Sequence, residues 1–131
     1  MSELPVTSLY AIPLAIIYFV LIMQVIFLRS SLSLSIGDGG NKDLHERIRR
    51  HGNFVEWVPM VLILLLVAEA RGTGTLWLHA AGALLTIGRV LHPLGLKADA
   101  PTHPLRIAGN VGAMLATIIL IVSLILSQFN A

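Results

Sequence analysis

The chain has 131 residues, 56% hydrophobic and 12% charged, and no cysteine. A soluble domain carries about 25% charged residues. With about half that share and a mean hydropathy of +0.83, the polar surface cannot coat a water-soluble globule, so lipid must do much of the solvating. The missing cysteines exclude disulfides and thiolate metal sites, so the sulfur of any thiol chemistry arrives on a substrate. A net charge of +2 without a basic tail argues against nucleic acid as a partner.

Val6 to Leu28 is an apolar run broken only by Gln24. As a helix it reaches roughly 34 Å, enough for a bilayer core of about 30 Å. A cleaved signal peptide is the competing reading. Against it, no Lys or Arg precedes the run and no small-residue cleavage site follows it. Arg29 to Lys42 is a polar connection turning at Gly37-Asp38-Gly39-Gly40. Asp43 followed by Glu46 has the form of a capping box, which predicts a helix from Leu44 that starts in water and stops near Arg71-Gly72.

The third apolar segment, Thr75 to Leu91, is rich in small residues, Ala80 to Ala83 among them. Pro93, Gly95, Pro101 and Pro104 punctuate the loop before the fourth, Leu105 to Leu126. In that last segment Ala108, Gly112 and Ala116 recur every four residues, beside Gly109 and Ala113. Such spacing lets helix backbones approach closely in lipid and fits a bundle that also oligomerises. The expectation is an all-α integral membrane protein: one domain over 1–131, a four-transmembrane-helix bundle with spans at about 6–28, 54–70, 75–91 and 105–126.

Orientation follows from the cations. Arg29, Lys42, Arg47, Arg49, Arg50, Arg89, Lys97 and Arg106 lie in or beside the first and third connections, and only Arg71 lies on the other side. The positive-inside rule predicts that those two connections are cytoplasmic and both termini face outward.

Arg49, Asn53 and Glu56, at i, i+4 and i+7, fall on one helix face where the helix enters the membrane. A carboxylate there is either functional or a structural ion pair, with Glu56 holding Arg89 or Arg49. Arg29, Arg89 and Arg106 end up at the same membrane face. Singly, each reads as a snorkelling anchor. Together with Arg49, Asn53 and Glu56 they offer fork-shaped donors for carboxylates and one acid for an ammonium group. The natural complement is a small zwitterionic peptide with more carboxylates than amines. The five histidines show no metal-binding spacing, so no metal is expected; His92 alone is placed to touch a ligand. Trp57 and Trp77 fall near opposite interfaces, where belt anchoring is the ordinary role, but Trp57 adjoins Glu56 and can line the site.

Arg49-x-x-x-Asn53-x-x-Glu56-Trp57-x-Pro59 resembles the signature of the membrane-associated proteins in eicosanoid and glutathione metabolism, the MAPEG family. Gln24-Val25-Ile26-x-x-Arg29, Gly88-Arg89-x-x-His92-x-x-Gly95 and Leu105-Arg106-Ile107-Ala108 are similar to the family's first-, third- and fourth-helix patterns. Trp57 and His92 stand where the family has tyrosines; both still donate hydrogen bonds. The likeness is to a bacterial-type member, similar to microsomal glutathione transferases and leukotriene C synthase.

The resemblance implies a homotrimer binding glutathione between subunits near the cytoplasmic face. Arg29, Arg49, Asn53 and Glu56, with Trp57, Arg89 and His92, would hold the peptide, and Arg106 would be catalytic, favouring the thiolate. It implies a glutathione transferase or peroxidase, with glutathione as co-substrate and a hydrophobic electrophile or lipid hydroperoxide arriving from membrane lipid. The alternative within the family is a non-catalytic lipid-binding or scaffold protein. A four-span exporter using Glu56 is a third class, disfavoured because such a site wants its acid near the bilayer centre, away from arginines.

Overall fold

The computed structural model describes residues 3–130. The expected domain over 1–131 runs past them by Met1, Ser2 and Ala131, which lie outside the described residues. Four antiparallel helices form one bundle: α1 Pro5–Ser31, α2 Lys42–Ala70, α3 Thr75–Gly95 and α4 Pro104–Phe129. Pro5 and Pro104 sit in the first turns of α1 and α4, where the missing N–H is no loss. One leucine from each helix, Leu14, Leu65, Leu85 and Leu120, is almost wholly buried at the centre. Outward, α1 and α4 present bare apolar side chains such as Phe19, Phe27 and Ile125, which suits lipid rather than water.

Among the described residues three helices, α1, α2 and α4, are long and apolar enough to cross a membrane; α3 is not. The shortfall of α3 traces to His79, Arg89 and His92, all turned into the bundle. Tyr10 Oη meets His79 Nδ1 at 3.0 Å, which fastens α3 to the start of α1.

The α3–α4 seam is unusually close. A Cβ on Gly109 would come 2.6 Å from the Gly88 carbonyl oxygen, and one on Gly112 would come 2.8 Å from the Leu84 oxygen. The small-residue face expected to favour association is therefore spent largely within the chain, with Gly109, Gly112, Ala113 and Ala116 buried and only Ala108 exposed.

Two boundaries differ from expectation. Asn41, not Asp43, caps α2, its side chain accepting from the Leu44 amide at 2.9 Å. The acids of the expected capping box are engaged elsewhere: Asp43 pairs with Arg47 and Glu46 with Arg50, both at i+4. Helix α3 also continues past Leu91 to Gly95, one turn beyond the expected end and through Pro93.

Helix α1 ends with Ser33 in the left-handed region, φ 55°, and α2 with Gly72 at φ 77°. In both, the following amide bonds back to close the end: Leu34 N to the Arg29 oxygen and Thr73 N to the Ala68 oxygen, each 3.0 Å.

Candidate functional site

The α3–α4 connection folds over the first turns of α2. Arg50 donates to the Leu96 carbonyl at 3.0 and 3.1 Å, Glu46 accepts from the Ala98 amide at 2.9 Å, and Lys42 pairs with Asp99 at 3.2 Å. Arg47 reaches α1 through the Gln24 carbonyl at 3.2 Å. These clamps fix the frame in which the predicted site residues sit.

Within this frame the predicted residues divide into two groups. Arg49 and Glu56 lie on an outward face of α2, side chains 48% and 55% exposed, joined at 3.3 Å. Of the two ion pairs open to Glu56 from sequence, this is the one that forms. Arg89, by contrast, is only 1% exposed. Its Nη1 donates to Asn53 Oδ1 at 2.7 Å and its Nη2 to the Gly109 carbonyl at 2.8 Å, with Asn110 Oδ1 at 3.5 Å. Asn53 is thus turned towards α3 and ties α2 to the α3–α4 seam, one turn along from Arg49.

His92 is 2% exposed, its Cβ packed where a side chain on Gly109 would stand, and it lies within electrostatic reach of Arg89 and Arg106. His92 Nε2 and Arg89 Nε are buried without hydrogen-bond partners among the described residues. Arg106, in the first turn of α4, is partly buried and donates to the Pro101 carbonyl at 3.1 Å. Arg29 closes α1 with its side chain partly exposed and, among the described residues, without a side-chain hydrogen bond. Trp57 packs on the apolar core beside Val58 and Val61. The structure therefore joins Arg49 to Glu56 and Asn53 to Arg89. It sets Arg89 and Arg106 each within electrostatic reach of His92, and it leaves Arg29 and Trp57 outside these contacts.

Around the polar cluster, the loops carry their own electrostatics. The Gly40 amide, then His45 at 2.7 Å, hold the Asp38 carboxyl below its ordinary 3.8. The Lys42 ammonium does the same for Asp99.

Two polar anchors escaped the reading of the sequence. Asn110 contacts Arg89 from α4. At the other end of the bundle, Glu69 accepts from the Val6 and Thr7 amides at 2.8 and 2.6 Å, capping α1 from the end of α2. Glu69 was visible as a lone acid at the end of an apolar run, but its partners lie more than sixty residues away. No group of three or more His, Cys, Asp or Glu able to hold a metal occurs among the described residues.

Inner membrane protein YecN, from two Escherichia coli strains, is 37% identical over 90 residues, covering 69% of this chain and 69% of that protein. No solved structure matches the chain. The model of the MAPEG family matches residues 7–126, taking in all four helices and both halves of the polar cluster. With its apolar helices and its inner-membrane relative, the chain is an integral membrane protein and belongs to the MAPEG family.

Proposed function

We propose that the chain binds glutathione at its arginine-rich end and acts as a glutathione transferase or peroxidase on hydrophobic electrophiles or lipid hydroperoxides. The observation carrying this reading is the outward pair of Arg49 and Glu56. Both are about half exposed and held only loosely to each other. An exposed pair of this kind contributes about 0–1 kcal/mol, so a ligand replaces it at little cost. A carboxylate of the peptide takes the Arg49 fork and its ammonium takes Glu56.

The pair faces away from its own bundle, so the pocket is completed by a neighbouring copy in a homotrimer. Helix α3 is the fourth span, its polar residues shielded inside. The first and third connections, with eight of the nine cations, face the cytoplasm and both termini face outward. Arg29 and Arg106 contribute further positive charge. Arg89 acts through Asn53: by occupying Oδ1 it leaves the amide Nδ2 as the donor toward the peptide. Trp57 and His92 border the pocket.

A free thiol with a reference value of about 8.5 is mostly protonated at neutral pH. The Arg106 guanidinium beside the sulfur favours the thiolate. The thiolate then attacks an electrophilic carbon supplied from lipid, forming the carbon–sulfur bond as the leaving group departs with its electron pair. Replacing Arg106 by Ala tests this: turnover of a model electrophile falls about 100-fold while glutathione affinity stays close to wild type. Unchanged turnover would remove Arg106 from the chemistry.

The burial of Arg89 favours a second reading, a non-catalytic lipid-binding or scaffold protein of the same fold, because one predicted ligand residue is committed to helix packing. Glutathione neither bound nor conjugated by the purified protein would select it.

A further inference from the structure

At the end of the bundle opposite the arginine cluster, a cavity of about 730 Å³ opens between the α2–α3 connection and the last turns of α4. Its walls are apolar: Trp77, Ile118, Val122 and Leu126, all exposed. Its mouth is polar and cationic. Arg71 is fixed there by bonds from Nε to Ser127 Oγ at 3.0 Å and from Nη2 to the Ser127 carbonyl at 3.3 Å. Nη1 has no partner among the described residues. Thr73 also lines the cavity, and its Oγ1 is buried without a hydrogen-bond partner among the described residues.

We infer that this cavity is a binding site for one anionic phospholipid from the leaflet on that side. The volume is that of a ligand pocket, and the division into a cationic mouth and an apolar wall matches an amphiphile. The helices that form the wall, α3 and α4, stand in a bundle whose outer surface is solvated by lipid, so an acyl chain reaches the wall without crossing water. The phosphate receives Arg71 Nη1, and the chain lies along Ile118, Val122 and Leu126. No acidic residue lines the cavity among the described residues. The nearest acid in sequence, Glu69, has both carboxylate oxygens on the Val6 and Thr7 amides and does not neutralise Arg71.

The test uses the full chain, delipidated and then offered equal amounts of phosphatidylglycerol and phosphatidylcholine with identical acyl chains. Bound lipid is counted by native mass spectrometry. Wild type retains phosphatidylglycerol preferentially, and Arg71→Gln loses the preference by about fivefold, the value of one cation near an anionic lipid surface. Arg71→Lys keeps the preference, which separates loss of charge from misfolding. Val122→Trp fills the wall and abolishes retention of both lipids with the helical content unchanged. Equal retention of the two lipids by wild type overturns the inference, as does undiminished retention in Val122→Trp. Displacement of the lipid by inorganic phosphate would assign the mouth to a soluble anion and overturn it. So would a disulfide between copies of the Val122→Cys variant that forms without lipid, because the cavity would then be a protein contact.

Discussion

Arg49 and Arg89 stand at the same end of the bundle and both come from patterns that carry the family likeness, yet they live in opposite surroundings. Arg89 is sealed in the α3–α4 seam, where Asn53, Gly109 and Asn110 accept its hydrogen bonds. Arg49 lies in the open, with one loose partner at 3.3 Å. A buried guanidinium with neutral acceptors holds helices together, and it cannot leave them without stranding those acceptors. An exposed one in a weak pair is free to exchange partners. The lesson is that arginines near one membrane face are not equivalent; burial commits Arg89 to the frame and leaves Arg49 free to exchange partners.

The largest way to break this comparison is Arg89→Met. It leaves the Gly109 carbonyl and the Asn53 amide without their donor inside the seam, and unfolding in detergent shows a loss of about 3 kcal/mol. Equal stability of wild type and variant would deny Arg89 its role in the frame. Gly109→Ala comes next. Its new methyl meets the Gly88 oxygen and the His92 Cβ, each at 2.6 Å, and backbone cannot yield cheaply, so about 2 kcal/mol is lost in the same assay. Glu69→Gln carries the contrast to the other end of the bundle. Removing the charge that caps α1 costs about 1 kcal/mol, read as faster amide exchange at Val6 and Thr7.

Arg49→Ala and Glu56→Ala each change stability by only about 0.3 kcal/mol, and their double-mutant coupling is equally small. A coupling above about 1.5 kcal/mol would move this pair into the frame and contradict the assignment. The smallest effect is in the loops. Asp38 titrates below its ordinary 3.8 because the charged form is held by the Gly40 amide and His45. A depressed value stabilises the fold above the unfolded value and is lost as pH falls through the folded one. The α1–α2 loop therefore loosens only below about pH 3.8, seen in carboxylate titration by NMR, and Asp38→Asn removes that transition.

The four helices were legible because each apolar run is several helical turns long and is bounded by glycine, proline or charge. The motif of Arg49, Asn53 and Glu56 was legible because helical spacing puts these residues near one another. The α2 cap was misplaced by two residues because Asn41-x-x-Leu44 and Asp43-x-x-Glu46 overlap. Arginines at i+4 draw both acids away from the amides, and no local rule ranks those competitors. The sorting of Arg89 from Arg49 was illegible for a different reason. It depends on Gly88 and Gly109 bringing two distant stretches of backbone together, which creates the buried acceptor that Arg89 fills, twenty residues from it in the chain. The Glu69 cap depends likewise on a meeting of helix ends that no neighbouring residue announces.

The most direct test of the central claim, that the exposed face of α2 recognises glutathione while the buried seam only supports it, is a calorimetric titration. Glutathione and its S-alkyl form are titrated into wild type and Arg49→Ala, with thermal unfolding of both proteins recorded alongside. The predicted result is saturable binding by wild type and at least about tenfold weaker binding by Arg49→Ala, a loss of about 1.4 kcal/mol, with no change in unfolding temperature. Absence of binding by wild type, or equal binding by the two proteins, would contradict it.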